Sequence, residues 1–304
     1  MVPLLAAVLL LAAPSRAAAV DPALQSAVEA AVAGFHGRVG VYARELSTGR
    51  EAALDADGLY PTASIVKVPI LASLLDRVDK GSLDYNAALV YTSTRARDAG
   101  DLAANLKDGA QVSPAKLAWL MESLSDNTAA LWCQELAGGG TGINAWLEKR
   151  GFRRTRVNSR TPGREADYKA LGWGQTTPRE MAELLVAVAT AAALSPAASE
   201  EMLRSLSRTY WDGEALSQIP PTVHVASKQG AVDHARSEVL LVDAPSGRYV
   251  LSVFTKEQAD TRYVRDNEGY ALLRRVSRAV WEALEASNSS WSPRAESVRF
   301  YHED

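Results

Sequence analysis

The chain has 304 residues, 47% of them hydrophobic and 23% charged, with a formal net charge of -3. That is the balance of an ordinary soluble globular protein, long enough to bury a core in one large or two modest domains. The net charge, and the lack of any basic run or basic stripe interleaved with aromatics, argue against a nucleic-acid or acidic-membrane partner.

Val2 to Ala13 is an apolar run too short to span a bilayer, followed by Pro14-Ser15-Arg16 and then Ala17-Ala18-Ala19. It reads as an export signal over 1–19 with a small-residue cleavage pattern, although no Lys or Arg precedes the run. The mature chain is expected to begin near Val20, in the periplasm or outside the cell, with no membrane span once the signal is cut. Pro22 to Phe35 has helical spacing of apolar residues and runs into Gly34 to Gly40. Val39 to Leu46 reads as a strand, Ser47-Thr48-Gly49-Arg50 as a hairpin turn and Glu51 to Leu54 as the returning strand. A helix is expected from Ser64 to about Val78, with Lys80-Gly81 as its stop.

From Leu83 to Leu216 helices dominate. The clearest are Ser113 to Leu124, Asn127 to Ala137, Gly142 to Arg150 and Pro178 to Leu194. Asn144 reads as an opening signal for the third, and Thr176-Thr177-Pro178 as a cap before a first-turn proline for the fourth. Cys133 is the only cysteine, so no intramolecular disulfide can form and packing alone must hold the fold. Its apolar helical run makes it a small buried residue by default. Strand signals return at Val223 to Lys228, Glu238 to Asp243 and Tyr249 to Thr255, which read as an antiparallel meander. A long helix over Gly269 to Ala286 follows, then a polar tail over 287–304 that is expected to be loosely ordered. The order predicts one sheet built from 20–60 and 217–286, a helical lobe from 61–216, and a site in the cleft between them.

Three motifs fall on that cleft. In Ser64-Ile-Val-Lys67 the two polar residues stand one helical turn apart. A serine hydroxyl needs a base, and a lysine whose pKa is lowered by burial or a nearby cation can serve. The free N–H groups at a helix start can hold an oxyanion. The rival reading is a helix cap beside a solvated lysine, and a chain this long holds on the order of one S-x-x-K by chance. Ser125-Asp126-Asn127 joins two helices. There a serine can relay a proton and an amide can bind a substrate carbonyl, or the three can simply cap a helix. Lys228-Gln229-Gly230 closes a strand, where a lysine can meet a substrate carboxylate and a glycine allows close approach, or the lysine can be a plain solvated edge charge.

Taken in order, S-x-x-K, S-D-N and K-x-G resemble the signature of class A β-lactamases and penicillin-binding proteins. Gly40-Val-Tyr, Pro61 to Leu71, Ser125-Asp-Asn-Thr-Ala, Thr176-Thr-Pro-Arg-Glu-Met-Ala and Tyr249-Val-Leu-Ser-Val-Phe-Thr extend the resemblance over about Ala23 to Ala286. It implies an α/β (α+β) β-lactamase-like fold: an antiparallel five-stranded sheet flanked by helices, beside an all-helical lobe. It implies that Ser64 is the acylated nucleophile, Lys67 its proton acceptor and Ser125 the shuttle to the leaving nitrogen. Asn127 would bind the substrate amide. Lys228 would hold the substrate carboxylate and keep the pKa of Lys67 low. The N–H groups of Ser64 and Ala231 would form the oxyanion hole. No metal or other cofactor is implied, and His36, His224, His234 and His302 show no ligand spacing.

Two departures stand out. Gln229 replaces the family's Thr or Ser, so the hydroxyl that helps hold a β-lactam carboxylate is missing. Arg236 is then either a partner in that role or, the preferred reading, a surface charge at the strand edge. The family's Glu-x-x-x-Asn loop, whose glutamate activates the deacylating water, is also absent from Arg160 to Gly174. Glu165 and Asp167 are the candidate replacements, against the reading that both are solvated loop acids. The expected function is an active-site-serine hydrolase acylated at Ser64 by a β-lactam or related amide, with slow deacylation. The alternatives are a D-Ala-D-Ala-type peptidase or transpeptidase, and a non-turnover module occupied by penicillin or cell-wall peptide.

Overall fold

The computed structural model describes residues 19–286. The chain opens with β1 (Ala19–Val20), α1 (Pro22–Val32), β2 (Arg38–Glu45), β3 (Arg50–Leu54) and β4 (Tyr60–Pro61). A 3₁₀ turn (Ala63–Val66) leads straight into α2 (Lys67–Asp79). The middle of the chain holds β5 (Leu89–Val90), β6 (Gln111–Val112), α3 (Pro114–Ser123), α4 (Asn127–Leu136), α5 (Gly139–Lys149), β7 (Arg156–Val157), α6 (Glu165–Leu171), β8 (Gly174–Thr176), α7 (Pro178–Ala189) and α8 (Pro196–Leu206). It ends with β9 (Val225–Val232), β10 (Ala235–Ala244), β11 (Gly247–Lys256) and α9 (Glu268–Leu284).

The main sheet has the order β1-β3-β2-β11-β10-β9. Its last five members are the expected antiparallel sheet. A sixth strand, not expected, is added by Ala19 and Val20, which pair in parallel with Arg50 and Glu51. The rest of the expected leader and all of the tail lie outside the described residues. Strand alternation gives the sheet two faces. One carries Val41, Leu240, Leu251 and Val253 against α1 and α9, where Leu24, Val28, Leu273 and Trp281 are buried. The other carries Tyr42, Val239, Leu241, Val250 and Phe254 and merges with the helical lobe through Ile70, Leu74, Met121, Trp132 and Leu185.

Local signals explain most element starts. Asp21, Ser113, Asp126, Thr177, Ser195 and Asn267 each cap a helix through a side-chain oxygen. Asn144 is a correction. The helix begins at Gly139, and Asn144, inside it, bonds both the N–H and the carbonyl of Val157, tying α5 to β7. The stretch around Glu165, expected to be loop, contains α6, and β8 pairs with both β4 and β7. Cys133 is fully buried, and burial pushes its thiol pKa up.

Candidate active site

The first turn after β4 places the nucleophile candidate. Ala63 has φ 44°, a left-handed conformation costly for a residue with a Cβ, and Ser125 has φ 60°. Such outliers persist where the surroundings over-determine them, and here one precedes Ser64 and the other is Ser125 itself. Lys67 heads α2 with its side chain fully buried, and Lys228 on β9 is 1% exposed. Neither is the solvated lysine of the rival reading.

Lys67 Nζ lies 3.1 Å from Ser64 Oγ, 3.0 Å from Ser125 Oγ, 2.5 Å from the Ser125 carbonyl and 2.8 Å from Asn127 Oδ1. Four oxygens exceed the three hydrogens of an ammonium and the two of an amine. The hydroxyls can turn donor, so a neutral Lys67 can accept from the Ser64 O–H. Lys228 Nζ donates to the same Ser125 Oγ at 3.0 Å and to the Gln229 carbonyl at 3.0 Å. Burial first, and the Lys228 ammonium second, hold the pKa of Lys67 well below the usual lysine range. Burial lowers Lys228 to about 8, opposed by the carboxyls of Glu122 and Glu238.

The turn before α4 holds its polar groups in place. Asp126 accepts from Ala129 N at 2.7 Å and Ala103 N at 2.9 Å. Asp101 takes the N–H of Asn127 and of Thr128, and Asp98 accepts from Asn127 Nδ2 at 2.7 Å. Ser-Asp-Asn is therefore both helix cap and cleft wall. On the other side, β9 comes against the Ser64 turn. A Cβ on Gly230 would sit 2.7 Å from the Thr62 carbonyl and 3.0 Å from Ser64 N. Only glycine lets the strand come this close to the Ser64 turn.

A profile of the beta-lactamase enzyme family matches residues 23–284. The chain belongs to the beta-lactamase enzyme family. Beta-lactamase AER-1 of Aeromonas hydrophila is 25% identical over 235 residues, 76% of either chain. PBP-A superposes with a TM-score of 0.79 at 26% identity, covering 90% of this chain and 99% of that one. A PBP-A mutant solved as an acyl-enzyme complex with penicillin G gives 0.78 at 26%, over 89% and 99%. An ancestral class A beta-lactamase gives 0.75 at 26%, over 86% and 99%.

Within this beta-lactamase-family chain the two loop acids bond within their own loop. Glu165 is exposed and accepts from Gly163 N, and Asp167 is paired with Arg164 at 3.0 Å. Among the described residues neither is bonded to Ser64, Lys67 or Ser125. Gln229 alternates onto the α9 face of the sheet, opposite Glu238 and away from Lys228. Arg236 is a correction to both sequence readings. It is fully buried, its guanidinium donates to the carbonyls of Val232, Ala235 and Arg262, and Tyr263 and Tyr270 stack against it. It is committed to joining β10 to the turn before α9.

Sequence reasoning missed the acids around the beta-lactamase-family cluster. Asp98 and Asp101 come from an irregular stretch with no signal of its own. Glu238 is buried in β10, where Ser227 Oγ and the N–H groups of Ala215 and Leu216 bond it, and burial raises its pKa to about 7. Glu122 is 1% exposed, and a signal did exist. It stands one turn after Ala118 on the apolar stripe of α3, where an ionisable residue is out of place. Beyond Asn127, one turn along α4, Leu131 helps line a pocket of about 590 Å³ with Trp173, Tyr168, Glu165 and the exposed Arg97 and Arg160.

Proposed function

We propose that this protein is an active-site-serine hydrolase that is acylated at Ser64 by a β-lactam or related cell-wall amide and releases the acyl group slowly. The carrying observation is the unbroken chain Ser64 Oγ–Lys67 Nζ–Ser125 Oγ–Lys228 Nζ, each link 3.0 or 3.1 Å. Lys67, kept neutral by burial, takes the Ser64 proton as Oγ attacks the amide carbonyl. The oxyanion forms between the N–H groups of Ser64 and Ala231. The proton then passes from Lys67 through Ser125 to the leaving nitrogen. Lys228 orients Ser125 and supplies the positive charge for the substrate carboxylate, a task that Gln229 does not share. The acyl-enzyme of PBP-A with penicillin G supports the substrate class. Slow release is supported by the bonding of Glu165 and Asp167 within their own loop, since lacking a general base slows its step by about 100- to 10,000-fold.

An intact-mass time course with excess benzylpenicillin tests this. A penicillin-sized adduct should form and persist, vanish in Ser64→Ala, and be unaffected by Glu165→Gln with Asp167→Asn. Rapid loss of penicillin with no standing adduct, slowed by either loop variant, would overturn the slow-release reading. No adduct and no loss of penicillin would overturn the reading altogether.

We assign the acyl arm of the substrate to the 590 Å³ pocket, which Leu131, one turn beyond Asn127, helps line. Its two arginines outnumber the one carboxylate of Glu165, so an arm carrying a carboxylate should be favoured. Replacing Arg97 and Arg160 by alanine should slow acylation by a penicillin with a carboxylate on its side chain by about 3- to 10-fold relative to benzylpenicillin, the effect expected of exposed charge pairs. Equal rates for the two penicillins in both proteins would remove the arm from that pocket.

A further inference from the structure

The Glu122 side chain is buried with both carboxyl oxygens lacking any hydrogen-bond partner. Buried carboxyls are nearly always bonded, and an exception calls for a reason. Its surroundings supply one. The titratable groups that face it are Lys67 from α2, Lys228 from β9, Cys133 from α4 and Tyr85 from the stretch before α3. From α8, Glu201 approaches the same region but is taken up by the Tyr85 hydroxyl. Of the groups facing Glu122, only the two lysines can carry positive charge. They are also the pair that the proposed reaction charges.

Before acylation that pair holds one ammonium, on Lys228. Attack by Ser64 moves its hydroxyl proton to Lys67 Nζ. Two ammonium groups then stand 3.0 Å from the same Ser125 Oγ, both withdrawn from water. Like charges at that separation repel strongly in a low-dielectric site, and an ionised carboxyl near enough to act on both through the low-dielectric interior offsets the repulsion. We propose that Glu122 is a positioning residue of the acylation step, the internal counter-charge that lets Lys67 and Lys228 be protonated together. It exchanges no proton with the substrate. The Ser64 proton goes to Lys67, then through Ser125 to the leaving nitrogen, and Glu122 is unchanged at the end. The inference rests on the acyl-enzyme reading above.

The counter-charge exists only while Glu122 is ionised. Burial raises its pKa to about 7, and Lys228 loses its proton near 8. The acylation rate should therefore climb through about pH 7 and fall beyond about pH 8.

The test measures Ser64 acylation by benzylpenicillin, by intact mass, from pH 5.5 to 9.5 in wild type, Glu122→Gln and Glu122→Leu. Both variants should acylate about 10- to 100-fold more slowly at the wild-type optimum. Both should lose the rising limb near 7, and their falling limb should move to lower pH because Lys228 has lost its carboxylate. Their melting temperatures should rise by a few degrees, since a desolvated carboxyl is gone. Wild-type rates in the variants would overturn the proposal. So would slower rates on an unaltered pH profile, which would mark a packing defect. If wild type forms no adduct, the serine reading has failed, and Glu122 is judged separately by NMR of lysines labelled with ¹³C at Cε. Lys228 should then deprotonate at lower pH in Glu122→Gln than in wild type, and an unmoved titration would sink the counter-charge.

Discussion

Lys67→Met should slow acylation of Ser64 by about 1,000-fold, measured as the rate of adduct formation with benzylpenicillin. Methionine keeps the length and apolar volume of a side chain that is fully buried, so the pocket stays filled while the proton acceptor is removed. The four oxygens that surround Lys67 Nζ lose their shared partner, and Ser64 is left with a hydroxyl no better than that of any surface serine. Lys67→Arg separates base from charge. A guanidinium stays protonated at any working pH, so it keeps the positive charge and cannot take a proton. It should be as slow as the methionine variant. An arginine variant that retained a tenth or more of the wild-type rate would mean that Lys67 acts only through its charge.

Gly230→Ala should cost about 100- to 1,000-fold in the same rate, the loss expected when one oxyanion donor is withdrawn. The added Cβ would lie 2.7 Å from the Thr62 carbonyl, 3.0 Å from Ser64 N and 3.1 Å from the Ala63 Cβ. Two of these three are backbone atoms of a turn already held at a left-handed φ, so the turn cannot yield and the strand must retreat. Ala231 N–H then moves away from Ser64 N–H, although neither residue has been changed. Stability should fall by about 1–3 kcal/mol, as for other overpacked sites. Full activity in a folded Gly230→Ala protein would show that the oxyanion is held elsewhere.

Both variants concern residues that stood out in the sequence, Lys67 because it sits where a helix begins and Gly230 because a glycine breaks an apolar strand pattern. Ser64 and Lys67 straddle the start of α2 and Ser125 and Asn127 the start of α4, whereas Lys228 and Gly230 lie inside β9, which runs on to Val232 past the strand end expected at Lys228. At the two helix starts, local signals for caps and turns coincide with the chemistry. The order of predicted elements gave the lobes, and the resemblance carried by Ser64–Lys67, Ser125–Asn127 and Lys228–Gly230 implied the same arrangement. The readings that failed are of another kind. The parallel pairing of Ala19 and Val20 is a long-range contact between a two-residue strand and β3. Arg236 looked like an edge charge because its sequence neighbours alternate as a strand should. The carbonyls that bury it come from as far away as Arg262, which no local pattern announces. Asn144 is a good helix opener by composition, yet three glycines upstream already begin the helix and its amide is worth more against the backbone of Val157. Glu122 broke the apolar stripe of α3 in plain view, but only the fold shows which charges lie beneath it.

The face of the sheet that carries Val239 and Phe254 shares one continuous core with α2, α4 and α7. Prying the lobes apart would expose the same apolar side chains that hold each lobe together, so among the described residues that shared core opposes any opening of the cleft. Substrates must therefore be chosen by a groove whose walls are already set. Adaptation is left to exposed side chains such as Arg97 and Arg160, since Asp98 is tied to Asn127. Variation at those two arginines can change what a substrate meets without touching the lysine cluster.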